Sequence, residues 1–379
     1  MNTEEYGGSW KPSPQQELLL RAALLTGTDA IEAWQQWKSS VDVEDLDPGS
    51  HRMLPLLYRN LQVHGIKDPS MSRYKGVYRQ TWYKNQLLFH ALGSVLRSFG
   101  ELGIETVVLK GAALTVLNYK DFGLRPMNDF DVLVRVEHVL PAMRLLQDQG
   151  WIPTDFEPNE KYISVRHSHG FRNGKGQEID LHWHVLSQSR EMDADNDFWD
   201  GAITVNIRDA ATRALNPTDQ LLQVCIHGAK WNYTPPFRWV ADAMSILNTA
   251  RSEVDWNRLI EQSMKRRLLL PLRGTLSYLK DLVAAPIPPE ILGSIEDISV
   301  SRIESLEHKI NISPRTRWIA VLDLWCQHSR LMKNSNVLHR LFCFPIFLQS
   351  IWGRSLWKLP FYGLSKAMNW HKNPLAKRL

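Results

Sequence analysis

In the stretch Gly123 to His138, GLRPMNDFDVLVRVEH, two aspartates stand one residue apart at the head of an apolar run. A strand sends residues i and i+2 to the same side. Asp129 and Asp131 therefore share one face, and Phe130, Val132 and Val134 share the other, where they can be buried. Two carboxylates held this close repel one another and resist desolvation unless a cation compensates them. A third carboxylate, Asp180, alternates with Ile179 and Leu181 in EIDLHWHV, and His182 lies on its face. Three acids from two adjacent strands suit Mg²⁺, with Mn²⁺ as a substitute, because such ions take hard oxygen ligands and leave positions open for phosphate and water. Two ions about 4 Å apart can activate an attacking hydroxyl and stabilise a leaving pyrophosphate.

Upstream, VVLKGAAL reads as a strand, Lys-Gly, then a helix start. Gly111 lets backbone come close to a ligand, and helix N–H groups suit a phosphate. Lys110 and Arg125 bring positive charge for a triphosphate. Each part also has a plainer reading. A DxD can be a solvated strand end, and Lys-Gly before a helix can be ordinary turn chemistry. His182 can be a hydrogen-bonded packing residue, and Arg125 can pair with Asp121 on a loop. The order of the parts is more specific than any one of them: strand, Lys-Gly, helix, DxD strand, then a later strand carrying one Asp.

The elements needed to position these residues can be read from periodicity. Residues 14 to about 100 are helical in PQQELLLRAALLTG, DAIEAWQQWKSS, HRMLPLLYRNLQVHG and the long YRQTWYKNQLLFHALGSVLRSFGELG, with apolar residues three and four apart. Between about 104 and 207 strands and helices alternate. ETVVLKG and DFDVLVRV are strands, WIPTDF and KYISVRH are strand candidates, and GFRNGKGQEIDLHWHV is a hairpin turning at RNGKG. From Pro217 the chain is helical again through TDQLLQVCIHGAKW, FRWVADAMSILNTARS and VDWNRLIEQSMKRRLLLPLRGTLSYLKDLV, which ends before API-PPE.

The 379 residues, 44% of them hydrophobic and 22% charged, can build a sizeable core and more than one domain, and they exclude wholesale disorder. Three cysteines, far apart, exclude a disulfide framework or a cysteine zinc site and suit a reducing compartment. The N-terminal stretch MNTEEYGGSWKPSP does not read as a signal peptide, and no apolar run reaches the roughly 20 residues of a spanning helix. A cytoplasmic location follows as the expectation.

LKGAAL, YKDFGLRPMNDFDVLV and EIDLHWHV, in that order, resemble the uncharacterised nucleotidyltransferases of the DNA polymerase β superfamily, a group met in bacterial natural-product and peptide-modifying gene neighbourhoods. The resemblance continues through LLQVCIHGAKW, FRWVADAMSIL and VDWNRL and covers about residues 15 to 295. It implies an α+β fold with a polymerase-β-like mixed β-sheet core between helical regions. The implied divisions are an N-terminal helical region (1–100), the nucleotidyltransferase core (101–207), a helical domain closing the nucleotide cleft (208–295) and a C-terminal region (296–379). By the same resemblance Asp129 and Asp131 hold the metals, and Asp180 is the third ligand or the base. Lys110 and Gly111 stand where better-known members carry Gly-Ser, so the usual serine contact is missing and Lys110 is the candidate to replace it. His227, Arg238 and Asp242 match recurrent HG and R-W-x-x-D positions on the second wall of the cleft. Arg238 and Asp242 are also spaced to form an intrahelical ion pair, and His227 can be a packed histidine beside a kink at Gly228.

The activity implied is Mg²⁺-dependent transfer of NMP, with ATP the default donor, to a hydroxyl of a small molecule, peptide or protein. The competing reading is a catalytically inactive accessory protein of the same fold that binds nucleotide or peptide. A third is an enzyme that adds nucleotides to RNA ends. The net charge of +5 bears on that choice. After Asp323 there is no acidic residue and there are nine Lys or Arg, which leaves the rest of the chain net negative and counts against nucleic acid as the body's partner. The final stretch interleaves Trp352, Trp357, Phe361, Tyr362 and Trp370 with Lys and Arg. It suits a membrane interface, single-stranded nucleic acid, or packing on the body with a basic face in solvent. Peripheral contact with the inner membrane surface is accordingly an expectation of the tail.

Overall fold

The computed structural model describes residues 10–352 except 156, 158, 192 and 233–235. Trp357, Phe361, Tyr362 and Trp370 lie outside the described residues. Five helices open the chain: α1 (Pro14–Leu24), α2 (Gly27–Ser40), α3 (Pro48–His51), α4 (Leu54–Val63) and α5 (Met71–Glu101). The start of α1 is fixed locally. The Ser13 hydroxyl accepts from the Gln16 N–H, the Gln16 side chain accepts from the Ser13 N–H, and Pro14 takes the first-turn position that needs no donor.

The sheet region follows as β1 (Thr106–Leu109), α6 (Lys110–Leu114), a π-helical turn (Thr115–Tyr119), β2 (Asp129–Val134), α7 (Val139–Asp148), β3 (Ile152–Pro153), α8 (Glu160–Ile163), β4 (Ser168–Arg172), β5 (Glu178–His182), α9 (Asn196–Asp200), β6 (Ile203–Ile207) and β7 (Ala210–Ala214). These seven strands form one mixed sheet in the order β3-β4-β5-β2-β1-β7-β6. β2 lies antiparallel to β1 and parallel to β5, and β1 is parallel to β7. The helices α10 (Pro217–Gly228), α11 (Arg238–Thr249), α12 (Trp256–Lys265), α13 (Leu269–Val283), α14 (Pro289–Asp297), α15 (Arg302–Ile312), α16 (Arg317–Leu331) and α17 (Val337–Trp352) complete the described chain. The result is the mixed α+β architecture expected from the sequence, with helices before and after the sheet.

The two-residue period of the central strands distributes the core. Val108, Phe130, Val132 and Val134 join Phe89, Leu92, Leu96 and Phe99 of α5 and Leu146 of α7 in one apolar cluster. Val107, Leu109 and Leu133 join a second cluster with Leu222 of α10, Val240 of α11 and Leu272 of α13, which also takes in Leu19 of α1 and Leu57 of α4. Each fully buried leucine or valine contributes about 1.5–3 kcal/mol relative to exposure. The N-terminal helices and those after β7 thus share one core, built on the sheet face that carries the two aspartates.

Several elements differ from their sequence expectation. KYISVRH contains the short helix α8, because the Asn159 side chain accepts from the Tyr162 N–H and starts a helical turn. WIPTDF contributes two strand residues, Ile152 and Pro153, paired with Arg172 and Phe171 of β4. The run from Val254 to Val283 is two helices, separated where Arg267 adopts φ 54. The sheet runs on to Ala214, past position 207, through the small-residue strand AATRA. No helix among the described residues is long and apolar enough to cross a membrane.

Candidate active site

Adjacent strands bring the acids together. In the parallel pair β2–β5, Asp131 is the register partner of Asp180, and Asp129 that of Glu178. Asp131 is buried, while Asp129 and Asp180 are half-buried at the edge of a cleft. Two residues beyond Asp180, His182 is only 1% exposed, and its Nε2 lies 3.0 Å from Asp131 Oδ1. It sits behind Asp131 as a support for the carboxylate instead of lining the cleft. Among the described residues, Asp131, Asp180 and His182 offer ligand atoms all within 4.8 Å of one another, a grouping that could hold one metal ion. Asp129 lines the same cleft beside them.

Lys110 follows the buried strand β1 directly and takes a left-handed backbone, φ 44. Its ammonium donates to Asp131 Oδ1 at 2.6 Å. Burial alone would push Asp131 upward, but the charge of Lys110 and the hydrogen bond from His182 outweigh it and hold the carboxyl below its usual range. Burial would likewise lower Lys110, and Asp131 outweighs that effect and raises it. Asp129 and Asp180 lack so close a cation. Burial, then the negative charge of Asp131, pushes Asp129 up to about 6 and also raises Asp180. The cluster is thus short of positive charge at two of its three acids. Its oxygen-rich donor set fits a hard divalent cation.

A second group of charges stands across the cleft. Arg125 Nε and Nη2 donate to Asp242 Oδ1 and Oδ2, each at 2.8 Å, and the pair is buried. Tyr119 donates its hydroxyl to Asp242 Oδ1 at 2.8 Å. The loop that carries Arg125 is tied to α5, where Asn85 Nδ2 donates to the carbonyls of Phe122 and Arg125 at 2.7 and 2.8 Å. Asp121, the alternative partner for Arg125, instead accepts from Arg59 and the Tyr78 hydroxyl. Arg238, four residues before Asp242 on α11, donates to the Pro126 carbonyl at 2.6 Å. The helix spacing suggested an intrahelical pair, but Arg125 reaches Asp242 from the sheet side with two of its three nitrogens, and a bidentate guanidinium is the stronger partner.

The cleft between these groups has a volume of about 360 Å³. Of the ten residues singled out from the sequence, Lys110, Gly111, Arg125, Asp129, Asp131, Asp180, His227, Arg238 and Asp242 line it, and His182 lies behind. Gly111 is needed as glycine: a Cβ there would run into the Arg125 guanidinium and the Met127 sulfur. Gly111 is the second residue of α6, which is five residues long and runs directly into the π-helical turn.

Sequence reasoning missed Arg52, Asn128 and Gln223, which also line the cleft. Gln223 could have been found, since it stands four residues before His227 on α10 and shares its face. Asn128 adjoins the DxD. Arg52, from the junction of α3 and α4, carries no local signal.

The family model described as "Uncharacterised nucleotidyltransferase" matches residues 49–284, and the chain belongs to that family. Among solved structures it is similar to an antigenic nucleotidyltransferase-like protein from Paracoccidioides brasiliensis, at 15% identity and a TM-score of 0.37, over 56% of this chain and 94% of that one. No curated protein matches the chain.

Proposed function

We propose that the protein is a Mg²⁺-dependent nucleotidyltransferase that moves NMP from an NTP, with ATP the default donor, to a hydroxyl of a small molecule, peptide or protein. The observation that carries this reading is the register of Asp131 against Asp180, with Asp129 beside them in one cleft. Asp129, Asp131 and Asp180 would hold Mg²⁺, with Mn²⁺ as a substitute, and two ions are the expectation for three carboxylates. When bound, the metal supplies charge neutralisation for the triphosphate.

The chain's own groups account for the rest. Lys110 and Arg238 offer positive charge to the phosphates, Arg125 holds the cleft wall through its pair with Asp242, and His227, Gln223 and Asn128 offer polar contacts. Asp180, at the cleft edge, would be the third ligand or, in place of that role, the base that takes the acceptor proton. The acceptor oxygen bonds to the α-phosphorus, the α–β bridging P–O bond breaks, and pyrophosphate leaves with that electron pair.

One observation favours the second reading, a catalytically inactive nucleotide- or peptide-binding accessory protein of the same fold. The ammonium of Lys110 already compensates Asp131. Incubation with each α-labelled NTP, with and without cell extract and Mg²⁺, separates the two. Label transferred to an acceptor only with Mg²⁺ supports the transferase. NTP retention without transfer or pyrophosphate release, equal with and without Mg²⁺, supports the accessory protein.

A further inference from the structure

We infer that the outward side of α17, extended by α16, is a docking face for an anionic lipid bilayer surface. Phe347 and Ile351 anchor α17 to the body, packed with Val165 at 4% and 5% exposure. The other side is open. Leu338, Leu341, Phe342 and Ile346 are exposed by 68%, 54%, 80% and 55%. Their spacing of three, four and eight residues from Leu338 places them on one helical face. On α16, Trp318 and Leu322, four apart, add exposures of 80% and 45%. Large apolar side chains exposed together on one helical face mark an interaction surface.

Charge selects the occupant. Arg340 is the one Lys, Arg, Asp or Glu in α17, and its guanidinium donates to the carbonyls of Ser335 and Lys333 instead of to a carboxylate. Arg317, which opens α16, and Lys333, two residues past its end, are exposed. From Leu324 onward the chain has nine Lys or Arg and no Asp or Glu. A second copy would bring the same excess of cations against this face, and so would residues 353–379, which hold six of the nine. A nucleic acid meets the charge but gives aliphatic side chains such as Leu338, Leu341 and Ile346 nothing to stack on. An anionic bilayer meets both requirements, with acyl chains for the stripe and headgroups for the cations. The helix would lie in the interface without crossing it.

The test is sedimentation of the full chain with vesicles of phosphatidylcholine alone or with phosphatidylglycerol, at low and high salt. The expected result is pelleting with the anionic vesicles, weakened by salt. In the double variant Leu338→Glu, Phe342→Glu, partitioning should fall about tenfold, and in Arg317→Glu, Lys333→Glu it should fall at low salt. Both variants should keep the wild-type melting temperature, because the altered side chains are exposed. Equal pelleting of the first variant and wild type would overturn the proposal, as would no pelleting of wild type. A wild-type dimer that this variant dissociates would identify a second copy as the occupant instead. A lowered melting temperature in this variant would show the stripe to be covered by the chain itself. Single-stranded RNA binding that outcompetes vesicles and ignores the stripe substitutions would assign the charge to nucleic acid.

Discussion

Arg125 and Asp242 are 117 residues apart in sequence and meet in a buried, two-bond ion pair that joins the loop before β2 to α11. Breaking a buried pair from one side leaves the other charge uncompensated, at a cost of roughly 3–5 kcal/mol. Asp242→Asn is therefore expected to lower unfolding free energy by about that amount in urea titrations, and also to loosen the cleft wall.

The same pair sets a pH dependence. Burial would raise Asp242, but Arg125 outweighs it and holds the folded carboxyl below its unfolded value. The unfolded chain then binds the proton first, so stability is full above the unfolded carboxylate value of about 4 and is lost as pH falls below it. Denaturation followed between neutral pH and the acid limb should show this loss in wild type and a flatter curve in Asp242→Asn.

Lys110 acts as the internal counter-ion of Asp131, at 2.6 Å. In Lys110→Met that charge is gone and the acids repel one another. Nucleotidyl transfer should fall on the order of 10²-fold, as for loss of one charge-stabilising group. The melting temperature of this variant should rise more with added Mg²⁺ than that of wild type, since a cation then replaces the lost ammonium. Differential scanning fluorimetry with and without Mg²⁺ measures it.

Two glycines should respond in opposite directions. At Gly111 a methyl meets Arg125 and Met127, so Gly111→Ala should cost about 1–3 kcal/mol by overpacking and weaken nucleotide binding. At Gly76 in α5 a Cβ meets nothing within 4 Å. Gly76→Ala should therefore stabilise the protein by about 0.5–1 kcal/mol, since alanine loses less freedom in a helix. Paired urea titrations of the two variants check both signs.

How far the site could be read in the sequence depended on range. Alternation in DFDVLV and EIDLHWHV fixes which side chains share a face, and it puts Asp129 with Asp131 and Asp180 with His182. Alternation says nothing of register between strands, so the pairing of Asp131 with Asp180, and the burial of His182 behind it, had to come from the fold. Local spacing misled at α11. Arg238 and Asp242 are four apart, yet a residue far upstream takes the carboxylate. KYISVRH alternates like a strand, but a capping side chain at Asn159 starts a short helical turn that takes in its first three residues. Arg52 reaches the cleft only because the N-terminal helices pack with α10, α11 and α13, a tertiary fact without local signature.

The proposed transfer requires Asp129, Asp131 and Asp180 to draw cations into the cleft. Electron paramagnetic resonance titration of Mn²⁺, with NTP present, measures this directly in wild type and in Asp131→Asn, Asp180→Asn protein. The account predicts Mn²⁺ bound by the wild type and at least about tenfold weaker binding in the double variant, from loss of two charged oxygen ligands. Equal Mn²⁺ affinity in the two proteins would contradict it.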